Sequence, residues 1–126
     1  MSSTGTDRPE GFRERPISGR FASQTVIVTG AGSGIGLAVA LRVAREGGRV
    51  IAADRDAARL DALRAAHPDL DLVAVAGDIG EEADVRRIVD ACGGRCDGLV
   101  NNAGIMDGFE PAGEVSDERW ERVLRV

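Results

Sequence analysis

A glycine-rich stretch that links a β-branched run to a helical pattern constrains this chain more than any other feature. Residues 25–28 read Thr-Val-Ile-Val, residues 29–36 read Thr-Gly-Ala-Gly-Ser-Gly-Ile-Gly, and residues 37–46 follow a helical period. Strand, glycine turn and helix in that order predict a phosphate-binding turn, because glycines let the backbone approach an anion at the first free N–H groups of the helix. The alternative interpretation is a glycine-rich helix entry that binds no ligand.

The spacing of the glycines narrows the kind of turn. A Gly-x-Gly-x-x-Gly pattern fails in every register, and the pattern that fits is Thr29 followed by Gly30, Gly34 and Gly36. No lysine follows these glycines, which excludes a P-loop nucleotidase.

Strand and helix patterns alternate along the rest of the chain. We predict strands at residues 25–29, 49–54, 70–76 and 98–101, helices at about residues 35–46, 57–66 and 81–92, and a last helix capped by Ser116. This alternation predicts an α/β fold, a Rossmann-type doubly wound parallel sheet with right-handed crossovers and the strand order 3-2-1-4. A ligand is expected over the ends of strands one and four, where the winding reverses.

Each predicted helix carries one apolar stripe, and those of the second and third helices are expected to be buried. The stripes are Ile35, Val39, Ala40, Val43 and Ala44 in the first helix, Leu60 and Leu63 in the second, Val85, Ile88, Val89 and Cys92 in the third, and Trp120, Val123 and Leu124 in the last.

Polar side chains stand at the carboxyl ends of the second, third and fourth strands. Asp54 ends the second strand, where an acid can accept both hydroxyls of an adenosine ribose; a helix N-cap is the alternative. Asp78 follows the third strand, where a carboxylate can accept from an adenine amino group and Ile79 can cover the ring. Residues 101–104, Asn-Asn-Ala-Gly, either hold a loop open beside a ligand or form a plain asparagine-rich turn.

The composition excludes several other classes of function. The net charge is −5 with scattered basic residues, so nucleic acid is not an expected partner, and no apolar run approaches membrane-spanning length. His67 is the only histidine, and Cys92 and Cys96 fit neither a redox Cys-x-x-Cys nor a zinc site, so we expect no metal centre and free thiols in a reducing, cytoplasmic setting. Residues 1–23 are polar, aperiodic and without a secretory apolar core, which predicts a flexible tail ahead of a domain at residues 24–126.

Four separated features match one family. Thr29-Gly30-x-x-x-Gly34-Ile35-Gly36, Asp54, Asp78-Ile79 and Asn101-Asn102-Ala103-Gly104 together resemble the N-terminal half of a short-chain dehydrogenase/reductase, over about residues 24–126. The resemblance implies an oxidoreductase that transfers hydride between a nicotinamide cofactor and an alcohol or ketone, in a homo-oligomeric parent protein. The residues it assigns to the cofactor are Gly30, Gly34, Ile35 and Gly36 at the pyrophosphate, Asp54 at the adenosine ribose, Asp78 and Ile79 at the adenine, and Asn101, Ala103 and Gly104 beside the nicotinamide ribose.

The choice between NAD and NADP depends on the charges near the adenosine ribose. Asp54 would repel a 2′-phosphate, which favours NAD as the cofactor. Ser33 agrees, because it leaves no positive charge just before Gly34, whereas Arg55 is a counter-signal, since a guanidinium beside the ribose can bind a phosphate.

The chain departs from the family pattern in its catalytic residues. The family transfers a proton with a tyrosine whose pKa a nearby lysine lowers, and this chain contains neither tyrosine nor lysine. We therefore assign no catalytic residue and expect a fragment that holds the cofactor-binding half of an enzyme. A non-catalytic dinucleotide-binding module is the alternative function, and a methyltransferase-like domain is a third interpretation that the glycine spacing fits poorly.

Overall fold

Residues 13–126, the part of the chain that this computed structural model describes, form a four-stranded parallel sheet with helices on both faces. The strands are β1 (Thr25–Thr29), β2 (Arg49–Asp54), β3 (Leu72–Ala76) and β4 (Gly98–Val100), and the helices are α1 (Gly34–Arg45), α2 (Ala57–Ala66), α3 (Glu82–Asp90) and α4 (Asp117–Arg125). The strands run in the order β3-β2-β1-β4, which confirms the predicted α/β Rossmann-type sheet.

The centre of the sheet is buried because β1 and β2 are apolar on both faces. Successive strand residues point to opposite faces, so Val28 joins a core cluster with Leu60 of α2, whereas Ile27 joins a second cluster with Ile88 of α3. A fully buried aliphatic side chain of this size contributes about 1.5–3 kcal/mol relative to an exposed one. The two clusters hold the carboxyl ends of the strands at one rim of the sheet.

A buried glutamate ties the segment before β1 to the end of α1. Glu46 is 0% exposed, and its Oε1 accepts from the Ile17 N–H at 2.9 Å and from Arg42 Nε at 2.6 Å. The Arg20 Nε lies 2.8 Å from Oε2. Burial by itself raises the pKa of Glu46, but these hydrogen bonds and the two guanidinium charges outweigh burial and hold the pKa below its usual value.

The predicted tail is therefore too long. The Phe21 N–H donates to the Glu46 carbonyl at 3.0 Å, and Phe21 packs against the core, so residues 17–23 belong to the folded domain. The mostly polar composition of the segment hides this, because the segment attaches through donors to a buried carboxylate as well as through Phe21. The rest of the prediction, for residues 1–12, lies outside the described residues.

The predicted buried stripe of the third helix is wrong at two positions. Val85 and Val89 are exposed, while Ile88 and Cys92, which follows the end of α3, are buried. In the stripe of α1, Ile35 is 76% exposed at the open end of the helix. Helix α4 buries no residue at all, although its apolar side chains share a face. Amphipathic spacing predicts a face correctly, but burial also requires an element that covers this face.

Two strands are shorter than expected. The Leu70 N–H donates to the His67 carbonyl, so a turn occupies the start of the predicted third strand, and β3 begins at Leu72. Strand β4 ends at Val100, whose carbonyl accepts from the Thr29 hydroxyl of β1. In the described residues, no helix combines the length and apolar character that crossing a membrane requires.

Candidate functional site

The loop between β1 and α1 turns on two glycines with positive φ. Gly30 has φ +66° and Gly34 has φ +56°, a region that other residues rarely adopt. A Cβ added to Gly30 would lie 2.8 Å from Asn102 Nδ2, whereas a Cβ on Gly34 would meet nothing within 4 Å. Gly36 is buried, and a Cβ there would collide with the Gly30 carbonyl oxygen. The glycines thus let α1 pack closely behind the loop and leave the Gly34 side open.

The N-terminus of α1 differs from those of the other described helices. Helices α2 and α4 have side-chain caps from Asp56 and Ser116, and α3 has two acidic residues in its first turn. Helix α1 has neither, since the Ser33 side chain does not cap it and no acidic residue lies in its first turn. No side chain of its own first turn therefore compensates its first N–H groups or its positive dipole end.

The carboxylate of Asp54 joins the end of β2 to the glycine loop. Its Oδ2 accepts from the Gly32 N–H at 2.9 Å, and its Oδ1 accepts from the Asp56 N–H at 2.9 Å. The side chain that caps α2 is that of Asp56, so Asp54 is not the helix cap. Each Asp54 oxygen keeps a second lone pair that can accept a hydrogen bond from the crevice.

A network around Thr29 joins β1 to the loop after β4. The buried Thr29 Oγ1 accepts from the N–H groups of Asn102 and Ala103, both at 3.1 Å. The Asn102 Nδ2 donates to the Thr29 carbonyl at 3.1 Å and to the Gly30 carbonyl at 3.4 Å. This network holds the asparagine-rich loop beside the glycine loop, so Asn102 braces the sheet.

These loops border one crevice of about 700 Å³ at the carboxyl ends of the strands. Nine of the predicted cofactor residues line it: Gly30, Ser33, Gly34, Ile35, Asp54, Arg55, Ile79, Ala103 and Gly104. Three do not. Gly36 lies behind the loop, Asn101 is exposed outside the crevice while Asn102 lines it, and Asp78 lies in an adjoining groove.

The adjoining groove has its own network of charges. Asp78 Oδ1 accepts from the Gly80 N–H at 2.8 Å, and the Asp78 N–H donates to Asp84 Oδ2 at 2.8 Å. The hydrogen bonds from Arg87 and from the Asp78 N–H hold the pKa of Asp84 below its usual value. Arg55 Nε lies 3.9 Å from Asp78 Oδ2, which draws this arginine toward the groove.

Sequence reasoning missed several residues that the structure brings to the crevice. Arg59 lines the crevice. The sequence already marks this residue as unusual, because a cation in the first turn of a helix opposes the helix dipole. Ile105, Met106 and Val126 form an apolar end that no motif indicated. In the described residues, no group of three or more His, Cys, Asp or Glu side chains could hold a metal ion.

Comparisons with known proteins agree on one family. The family model for short chain dehydrogenase matches residues 24–126. The 3beta-hydroxysteroid dehydrogenase 2 of Eggerthella lenta is 39% identical over 121 residues, which are 90% of this chain and 45% of that protein. The levodione reductase of Leifsonia aquatica is 34% identical over 114 residues, which are 85% of this chain and 43% of that protein.

Solved structures give the same result. A 3-ketoacyl-(acyl-carrier-protein) reductase from Brucella melitensis, crystallised with NADH, has a TM-score of 0.78 at 39% identity over 83% of this chain and 44% of its own. A short chain dehydrogenase from Mycobacterium smegmatis has a TM-score of 0.82 at 35% identity over 93% of this chain and 50% of its own. The chain therefore spans half or less of the length of these relatives. Together with the strand order and the glycine loop, the matches show that the chain belongs to the short-chain dehydrogenase family.

Proposed function

We propose that this chain binds the adenine-dinucleotide part of a nicotinamide coenzyme in an oxidoreductase that transfers hydride to or from the carbon of an alcohol or ketone. One observation carries the proposal: the N-terminus of α1 faces the crevice through Gly34, with neither a side-chain cap nor an acidic residue in its first turn. Such a helix end is a site for a diphosphate, because free N–H groups and the positive dipole end point at the anion.

The residues present fit a dinucleotide along the whole crevice. Gly30, Gly34 and Ile35 would hold the diphosphate, with Gly36 giving the close packing behind them, and Asp54 would accept from the adenosine ribose. Ile79 would cover the adenine, with Asp78 in the groove beside it, and the backbone at Ala103 and Gly104 would border the nicotinamide ribose. Asn102 would hold the two loops together, and we propose no contact between Asn101 and the coenzyme.

When bound, the coenzyme supplies the hydride donor or acceptor, and the protein supplies binding and orientation. The Thr29–Asn102 network fixes the two loops against each other, so the crevice is already formed before a ligand enters. The chain contains no tyrosine and no lysine, so we assign no proton transfer to its own side chains. The names of the relatives, a hydroxysteroid dehydrogenase and a levodione reductase, support an alcohol or ketone as substrate.

We favour NAD over NADP as the coenzyme. Asp54 lines the crevice and would repel a 2′-phosphate, leaving both charges poorly compensated. Arg55, the opposing signal in the sequence, lies toward Asp78 and the adjoining groove.

The binding test uses the full 126-residue chain and isothermal titration with NADH and NADPH. We expect NADH to bind more tightly, and Asp54→Asn to weaken NADH binding about tenfold, since hydrogen bonds to a charged acceptor are lost. Asp61→Asn is the matched control, because this exposed aspartate lies on α2 outside the crevice. NADPH binding as tightly as NADH, or a soaked crystal with an empty crevice, would contradict the proposal.

The setting and assembly of the protein are part of the same proposal. Cys92 and Cys96 are both free thiols, and the exposed Cys96 suits a reducing compartment, so we propose a cytoplasmic protein. The exposed Trp120 and Leu124 on α4 support a homo-oligomer, since they leave an apolar face open.

A further inference from the structure

We propose that Arg59, in the first turn of α2, is a specificity-determining residue that attracts a phosphate on the 2′ position of the adenosine ribose. It would oppose Asp54, whose negative charge favours NAD. This inference rests on the proposed function of the same crevice.

The guanidinium of Arg59 is held at the rim of the crevice, next to the glycine loop. Its Nη1 donates to Ser33 Oγ at 3.4 Å, and its Nε lies 3.3 Å from Asp56 Oδ2. A Cβ added to Gly32 would lie 2.8 Å from Asp54 Oδ2 and 3.0 Å from Arg59 Cβ. Asp54 and the base of the Arg59 side chain therefore pack beside the same glycine, and both residues line the crevice.

The position of Arg59 along α2 is unfavourable for a cation. Asp56 is the N-cap, so Arg59 is the third residue of the helix, where a capping box would place Glu or Gln. A positive charge there opposes the helix dipole. The nearby Asp56 offsets this only in part, because the Arg59 side chain is 57% exposed and solvent screens the pair. An anion in the crevice would compensate this charge.

The second arginine at the crevice has a different environment. Arg55 lies toward Asp78 at 3.9 Å, on the side of the adjoining groove, whereas Arg59 lies toward Ser33 on the side of the glycine loop. The control for Arg59 is Arg64, an exposed arginine of the same helix that lies outside the crevice.

The chemistry of a 2′-phosphate separates the effects of Asp54 and Arg59. A guanidinium can donate two parallel hydrogen bonds to a phosphate, and a carboxylate at the same ribose repels it. A ligand without the 2′-phosphate keeps the contact to Asp54 but loses the one to Arg59. The ratio of the affinities for the two ligands therefore measures the role of Arg59.

The experiment compares adenosine 2′,5′-bisphosphate with 5′-AMP by isothermal titration of the full chain. We expect Arg59→Gln to weaken binding of the bisphosphate about tenfold and to change binding of 5′-AMP less than about twofold. Arg64→Gln is expected to change the ratio of the two affinities less than about twofold. Circular dichroism verifies that each variant keeps its helices.

A second variant raises the sensitivity of the test. Asp54→Asn removes the repulsion between this carboxylate and the 2′-phosphate, so we expect this variant to bind the bisphosphate more tightly than the parent chain does. Adding Arg59→Gln to Asp54→Asn is expected to cancel this gain. Equal losses for both ligands in Arg59→Gln, or an equally selective loss in Arg64→Gln, would overturn the inference and leave the proposed function intact. A parent chain that binds neither 5′-AMP nor NADH would overturn the proposed function and this inference with it.

Discussion

The two sides of the sheet centre differ in how completely their apolar residues are covered. Around β1 and β2 the core side chains are buried on both faces, and Val28, Val50 and Ile51 are each 0% exposed. On the side of β4 and α4, Leu99 is 57% exposed and Leu124 is 69% exposed. Both sides carry the apolar spacing of a core, so the difference lies in which elements are present to cover them.

Truncation of a leucine on each side gives the largest expected contrast. Leu60→Ala should lower the free energy of unfolding by about 3 kcal/mol, because this side chain is 1% exposed and its removal leaves a cavity. Leu124→Ala should change it by less than about 0.5 kcal/mol, since the side chain is mostly exposed. Urea unfolding followed by circular dichroism measures both.

Equal losses in these two variants would contradict the comparison. A large loss in Leu124→Ala would mean that α4 is covered in solution. Repeating the measurement over a range of protein concentrations would then separate coverage by a second copy of the chain from coverage within one copy, because only association makes stability depend on concentration.

Substitutions in the loop after β4 test how strongly this loop is joined to β1. Asn102→Ala should lower the free energy of unfolding by about 1–2 kcal/mol, because the Thr29 and Gly30 carbonyls lose a donor in a half-buried setting. The neighbouring Asn101→Ala is the control and should cost less than about 0.5 kcal/mol, since Asn101 is exposed. A reversed order of the two effects would mean that Asn101 is the bracing residue.

The smallest expected effect is that of acidification on the contribution of Glu46 to stability. Its pKa in the folded chain lies below the ordinary value of 4.5, so the carboxylate stabilises the fold at neutral pH, and this contribution is lost as the pH falls below about 4.5 through the folded value. We expect the gap in urea midpoint between the parent chain and Glu46→Gln to narrow on acidification from pH 7 to pH 3.

The matched control for that measurement is Glu82→Gln, whose side chain is 79% exposed on α3. Its urea midpoint should follow the parent chain across the same pH range. A gap between the parent chain and Glu46→Gln that stays constant with pH would show that Glu46 stabilises the fold by packing and not by its charge.

The sequence was sufficient for the parts of the fold that local pattern specifies. The bounds of β1, β2 and α2 and the strand order agree with the structure, because β-branched runs, glycine turns and caps act over a few residues. Two positions of the α3 stripe were predicted wrongly, since helical spacing does not reveal whether another element covers Val85 or Val89.

The candidate site divides in the same way. Gly30, Gly34 and Asp54 could be predicted because the chemistry of a glycine turn after one strand and of an acid after the next directly indicates a candidate binding role. Asn102 was not distinguished from Asn101, because the choice depends on which side chain reaches Thr29 across the sheet. Whether these residues hold a coenzyme stays a prediction until binding is measured.

The enclosed carboxylate of Glu46 sets a practical boundary for engineering the chain. A shortened version that starts after Arg20 would remove the Ile17 N–H and one guanidinium, and would leave a negative charge in an apolar enclosure with Arg42 as its remaining ion-pair partner among the described residues. Affinity tags and fusion partners therefore belong ahead of residues 17–23, and trimming of the chain should stop before Ile17.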